Sequence, residues 1–335
     1  MSTPSPPTLV LAAFALAASA VHAAQRGAGG GPAPAREVTV AAIPGVVAPG
    51  STWMRAWQGT DNADGLVAAP DGGLLFAQEQ PGRVSKLDAD DRVSIVIEDT
   101  HGAGSLAIDT RGRMLAVLRT CTDPGGQPAQ CTEPTAIAVL SPTRTTLTTS
   151  FDGKPLGRLN DLVPHRSGGV FFTVGGAFFM TAAGVVASLG PDIRANGIML
   201  SPDERTLYVT NGVGILAFDV AADGTTAGRR EFAKLAAGGT GDGMAVDAIG
   251  RLYVTSQTGV QVFAADGAYL GLIPTPRSAI SVAFAGPGKR TLYVVGSGAL
   301  GPDGQEFATP AGVRNNAKTI YKLPMLATGF AGRAK

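Results

Sequence analysis

Charge is scarce in this sequence. Only 16% of its 335 residues are Asp, Glu, Lys or Arg, and 27 basic against 26 acidic side chains leave a net charge of +1. With no basic block and 6% aromatics, nothing marks the electrostatic footprint of a nucleic-acid partner. Three histidines and two cysteines disfavour a structural zinc site. There is no Gly-x-Ser-x-Gly elbow with triad partners, and no phosphate-cradling loop ending in Lys-Ser/Thr, so serine-hydrolase and nucleotide chemistry are poor fits. No apolar run reaches the roughly 20 residues that span a bilayer. What the chain does have is 46 glycines, 23 prolines and 44% hydrophobic residues. That is enough apolar material for a sizeable core, in many short strands joined by tight turns, and it predicts an all-β fold.

The N-terminus carries an apolar stretch from Leu9 to Ala20, followed by Val21-His22-Ala23, a small-x-small cleavage pattern. This favours a cleaved signal peptide over residues 1–23 rather than a retained anchor, although Met1 to Pro7 lacks Lys and Arg. The mature chain is expected to begin near Ala24, to be periplasmic or secreted, and to have no membrane span. Residues 24–36 read as a flexible Gly/Pro/Ala-rich leader, 37–327 as one folded domain and 328–335 as a tail. Cys121 and Cys131 flank a Gly- and Pro-containing loop, and an oxidising compartment predicts a disulfide between them.

Six segments share one pattern, an apolar strand, a Gly/Asp/Pro turn and a second apolar strand. They begin at Asp64, Gly104, Asn160, Asn196, Asp242 and Ser281. Their spacing is close to the roughly 40–50 residues of a propeller blade, with one longer interval that holds the Cys loop. A six-bladed β-propeller is predicted; a β-sandwich gives no reason for six similar units. Val38-Thr39-Val40-Ala41 is expected to pair with Thr319 to Leu323 and close the ring.

The innermost strand of each blade lines the central channel, so the first residues of the repeats should meet around one axis. Asp64, Asn160, Asn196 and Asp242 then supply hard oxygen ligands and a formal charge of −2, matching one divalent cation such as Ca2+. The competing explanation is local, since Asp64-Gly65, Asn196-Gly197 and Asp242-Gly243 are also common turn formers.

The segments Arg158-Leu-Asn-Asp-Leu-Val, Gly169-Val-Phe-Phe-Thr, Arg194-Ala-Asn-Gly-Ile-Met-Leu-Ser-Pro-Asp and Gly241-Asp-Gly-Met-Ala-Val-Asp occur in that order. In them the chain resembles the gluconolactonase/regucalcin/luciferin-regenerating-enzyme family of six-bladed propellers, from about Trp57 to Leu323. The resemblance implies one divalent cation, usually Ca2+ and in some members Zn2+ or Mn2+, used to hydrolyse a small-molecule lactone or ester. It carries Asn196 and Asp242 onto metal ligands, Asn160 onto a metal or substrate contact and Arg158 onto a substrate contact. Asp64 stands where the family has Glu, while Gln78 and Val174 stand where many members have Asp.

In such a site Asp242 is the expected proton acceptor or nucleophile, and Arg158 the group that holds a substrate carboxylate or hydroxyl. Related lactonase propellers use a channel His as base, which makes His101, just before the second repeat, a candidate substrate contact or base; a plain loop histidine is the alternative. His165, in a Pro-His-Arg-Ser-Gly turn, is expected at the surface. A monomeric, exported metal-dependent lactonase leads. A catalytically silent propeller that binds a ligand or protein in the same channel follows, and a lyase using His101 comes third. Alkylation of the exported, unreduced protein is expected to leave Cys121 and Cys131 unmodified, and labelling of either would contradict the disulfide.

Overall fold

Short apolar strands separated by tight turns, most of the inner ones buried on both faces, achieve that burial by pairing in sequence and stacking sheet against sheet. A computed structural model describes residues 34–119, 133–308 and 315–332, together with Met1. Cys121, Cys131 and nearly all of the signal and leader lie outside the described residues. The chain divides into Met1–Gly30 and Gly31–Lys335, and every element below belongs to the second unit.

Each repeat forms a four-stranded antiparallel sheet. Blade one is Asp64–Ala68, Leu74–Gln78, Arg83–Leu87 and Val93–Ile97; blade two is Ala103–Ile108, Met114–Leu118, Ala136–Ser141 and Thr145–Thr148. Blade three is Leu162–Pro164, Val170–Thr173, Ala177–Met180 and Val186–Ser188; blade four is Ile198–Leu200, Thr206–Asn211, Gly214–Val220 and Thr226–Lys234. Blade five is Met244–Val246, Leu252–Ser256, Gly259–Phe263 and Tyr269–Pro274. Blade six joins Ala279–Ala285, Thr291–Ser297 and Ala317–Pro324 to a strand from the other end of the chain. The fold is a six-bladed β-propeller.

That closing strand is Met54–Gln58, which places Trp57 opposite Ile320 and Gln58 opposite Thr319. It replaces the expected Val38–Ala41 partner. The Val38 segment runs into a tight turn, with Ile43 and Val47 bridged, and puts Val40, Ile43, Val46 and Val47 into the apolar layer shared by blades five and six. Met54–Gln58 instead brings Trp57 against Phe76 of blade one, ring centroids 5.1 Å apart, so closure also joins the last blade to the first.

The core lies between neighbouring blades. Leu106 and Ala116 meet Val67 and Ala77 between blades one and two, and Phe172 and Leu162 meet Val117 and Ile137 between two and three. His165 belongs to this inter-blade material, contrary to the surface position expected from its turn. It is 3% exposed, its Nδ1 is 2.8 Å from Ser167 Oγ, and its ring stands edge-on to Phe171. The turn that carries it leans on blade four, where Glu204 lies 3.8 Å from Nε2.

At the axis the inner strands come closer than side chains allow. A Cβ on Gly65 would lie 2.6 Å from Ser105 Cα, one on Gly197 1.9 Å from the Asp242 carbonyl oxygen, and one on Gly243 2.7 Å from the Ile280 carbonyl oxygen. Asp64 opens a strand, and Asn196-Gly197 and Asp242-Gly243 lead directly into theirs. The glycines of these dipeptides therefore serve inter-blade contact, and Gly65 in addition takes a left-handed backbone conformation, with φ +50°. Gly197→Ala is expected to cost about 2–3 kcal/mol in urea denaturation, whereas Gly214→Ala, with nothing nearer than 3.7 Å, is expected to cost little.

Candidate functional site at the channel mouth

The strand registers fix which residue each blade contributes to the ring. In blade three Asn160 donates its backbone N–H to the Thr173 carbonyl, and in blade five Asp242 does the same to Thr255. Blade six departs from expectation. Tyr253 faces Ala245 and Tyr293 faces Ala283, so Ser281 aligns with Gly243 and the ring residue is Ile280. A bulge between Ala279 and Ser281 hides this in the sequence. The Ser281 hydroxyl accepts a hydrogen bond from the Leu66 backbone at 3.3 Å, between blades rather than in the channel.

Three buried threonines, Thr173, Thr210 and Thr255, hold the ring in place. Thr173 Oγ1 donates to the Asn196 carbonyl, Thr210 Oγ1 accepts from the N–H groups of Asn196 and Gly197 at 3.0 and 2.9 Å, and Thr255 Oγ1 donates to the carbonyls of Gly243 and Ile280, both at 3.1 Å. Each lies at the end of the second strand of its blade or one residue before it, so the sheet sets where the ring backbone sits.

The polar side chains converge. The Asn196 side chain lies beside the Asp242 carboxylate and favours its charged form, and Asp64 and Asp161 lie near enough to act on that carboxylate electrostatically. Asp64 Oδ1 accepts from the Gly65 N–H at 2.8 Å; its Oδ2 accepts from Arg119 Nη1 at 3.1 Å and Asn315 Nδ2 at 3.2 Å. Arg119 also donates to the Leu159 and Asn160 carbonyls and lies 3.4 Å from Glu79. Glu79, 4% exposed, takes two hydrogen bonds from Arg158, at 2.6 and 3.0 Å. Asp161 is committed to structure, bonded by Ser105 Oγ at 2.7 Å and by the N–H groups of Leu162 and Ile198.

Burial raises the Asp242 carboxyl well above the usual carboxylate range, and Asp64 and Asp161 push it further in the same direction. Burial also raises Asp64, against the pull of Arg119. For Arg119 burial opposes the charge, but Glu79 and Asp64 outweigh it and the guanidinium is held above its ordinary value. Counted as ions, the carboxylates of Asp64, Glu79, Asp161 and Asp242 face the guanidiniums of Arg119 and Arg158, which leaves two negative charges in excess. Among the described residues no three His, Cys, Asp or Glu side chains group to hold a metal ion. The donor set here is of another kind, two carboxylates with the carboxamide of Asn196 beside them, and its chemistry fits one hard divalent cation.

The structure thus brings together Asp64, Asn196 and Asp242, ties the Asn160 backbone carbonyl to Asp64 through Arg119, and pairs Arg158 with Glu79. It does not bring in His101, whose Nε2 lies 3.5 Å from Glu133 and 3.6 Å from Asp99 and makes no polar contact with the ring among the described residues. Gln78 Oε1 accepts from Arg83 and Ser85 within its own blade, both at 2.7 Å, and Val174 packs on the layer between blades two and three. Sequence reading missed Glu79, Arg119, Asp161 and Asn315. Glu79 and Arg119 occupy the same repeat position, just past the second strands of blades one and two, and that shared position was the available signal.

A six-bladed propeller with hard oxygen donors gathered at one end of its channel defines a class of channel-site propellers. Within it, the chain belongs to the SMP-30/Gluconolactonase/LRE-like region family, whose model matches residues 98–298. It is similar to a gluconolactonase of Zymomonas mobilis, at 28% identity over 185 residues, 46% of this chain and 52% of the relative. The chain thus matches about half the length of that curated relative. Among solved structures it is similar in fold to a Xanthomonas campestris gluconolactonase, with a TM-score of 0.66 at 23% identity over 88% of this chain and 99% of the other. A calcium-binding regucalcin from Agrobacterium tumefaciens gives a TM-score of 0.62 at 18% identity over 88% and 97% of the two chains.

The raised Asp242 carboxyl has a consequence for the metal-stripped protein. A carboxyl that ionises later in the folded than in the unfolded chain makes stability fall as pH rises above the ordinary value of 3.8 towards the folded one, because the folded state then binds more protons. With chelator present, Asp242→Asn is expected to melt higher than the parent near pH 7 and to lose that advantage near pH 4. Equal melting temperatures at both pH values would contradict the crowding of carboxylates at the ring.

Proposed function

We propose that the protein is an exported, divalent-metal-dependent lactonase of the gluconolactonase type that acts as a monomer on a sugar lactone or similar small cyclic ester. The observation that supports the reading is that Asp64 and Asn196 lie close enough to the Asp242 carboxylate to shift its ionisation, in a chain of this family. Export rests on the Leu9 to Ala23 pattern.

Asp64, Asn160, Asn196 and Asp242 would hold the cation, with Ca2+ the best match to an all-oxygen set and Zn2+ or Mn2+ the alternatives. When bound, the cation supplies polarisation of the ester carbonyl and stabilises the negative charge that builds on its oxygen. Asp242 takes the proton of the attacking water. The Asn196 carboxamide lies beside its carboxylate. Arg158, fixed in plane by two bonds to Glu79, orients a substrate oxygen. Because Glu79 offsets its charge, an uncharged hydroxyl suits it better than a carboxylate. Ile280 gives the ring one apolar side for substrate carbons.

The silent-propeller reading draws on Asp64, Gln78 and Val174. The last two make their contacts inside or between blades, so those departures leave the ring itself intact. The lyase reading needs His101 at the ring, and its contacts are with Asp99 and Glu133 instead.

The test is hydrolysis of a lactone panel, starting with glucono-1,5-lactone, by metal-stripped mature protein re-supplied with Ca2+, Zn2+ or Mn2+. Activity is expected to return with metal and to fall at least about a hundredfold in Asp242→Ala. Metal binding without turnover of any lactone or ester would make the protein a binding propeller.

A further inference from the structure

The second blade brings no ring side chain of its own, because Gly104 stands there. Yet the position is filled. A Cβ on Gly104 would lie 2.2 Å from Arg119 Cζ and 2.3 Å from its Nε, so the guanidinium, its side chain 6% exposed, occupies the place of the missing ring residue. There it bonds Asp64 of blade one at 3.1 Å and the backbone carbonyls of Leu159 and Asn160, just ahead of blade three. The same Nη1 that bonds Asp64 also lies 3.4 Å from Glu79 Oε2. The two ring positions that flank Gly104, Asp64 and Asn160, are therefore both held by one cation of the protein's own.

We propose that Arg119 is a resident counter-cation of the ring, a positioning residue that competes with the divalent ion for Asp64 and so sets how tightly that ion is held. The inference rests on the metal-dependent reading above. A guanidinium hydrogen-bonded to a carboxylate takes up part of its acceptor capacity, and its charge opposes the arrival of a second cation a few ångströms away. It also relieves carboxylate crowding when no ion is bound. A ring balanced in this way exchanges its ion, where four uncompensated oxygen ligands would bind one as a permanent structural part. Gly104 belongs to the same device, since any larger residue would displace the guanidinium.

Calorimetric titration of the metal-stripped full chain with CaCl2 tests this, using Arg119→Met to remove the charge and Arg119→Lys to retain it. Arg119→Met is expected to bind Ca2+ about tenfold more tightly than the parent, with Arg119→Lys close to the parent. A purely structural role would give weaker binding in both. If circular dichroism shows that Arg119→Met does not fold, Gly104→Ala pushes the guanidinium off Asp64 while keeping the blade sequence, and a severalfold gain in affinity is expected. Unchanged or weaker binding in the folded variant, with Ca2+ still bound by the parent, would overturn the counter-cation role and leave the metal-dependent reading standing. No Ca2+, Mn2+ or Zn2+ binding by parent or variant would overturn both.

Discussion

Six strands from six blades have to share the narrow end of one channel, and the closeness this forces governs the rest of the molecule. At Gly65, Gly197 and Gly243 the backbone of the next blade stands where a Cβ would be. Only glycine fits, and the residue before each, Asp64, Asn196 or Asp242, is the last that can carry a side chain into the channel. Buried threonines at or beside the ends of the second strands of blades three to five tie the backbone of Asn196, Gly197 and Gly243 to the sheets. Packing and function are thus set by the same contact. What draws the blades together also brings the polar groups within reach of one another.

Gathering carboxylates in a poorly solvated space is unfavourable unless positive charge accompanies them. The protein supplies part of that charge itself. Arg119 lies between Asp64 and Glu79, and Glu79 in turn fixes Arg158. A chain of alternating charge therefore runs from Asp64 to Arg158. The excess of two negative charges that remains is the electrostatic case for a divalent cation, and it complements the chemical case made by the oxygen donors.

Much of this was legible in the sequence because repetition amplifies weak signals. Six units with similar turns gave the blade count, and superimposing their first residues picked out Asp64, Asn196 and Asp242, which lie near one another in the structure. The errors arose where repetition ends or slips. Val38–Ala41 has the apolar character of a closing strand, yet closure depends on what Trp57 packs against, a contact between distant parts of the chain. Ser281 was assigned the ring position through its polarity, and a bulge shifts the true register by one residue to Ile280. His165 lies in a turn of surface composition that another blade covers. Arg119 and Glu79 went unnoticed because their importance is relational: an arginine after Leu118 means little until Gly104 is seen to leave it room.

The most direct measurement is an anomalous difference map from a crystal of the metal-stripped protein soaked in MnCl2. The site described above requires one principal peak at the channel mouth, about 2.0–2.6 Å from oxygens of Asp242 and Asn196, with Arg119 still beside Asp64. An absent peak, or a principal peak away from Asp64, Asn160, Asn196 and Asp242, would contradict the claim that these four residues form a cation site.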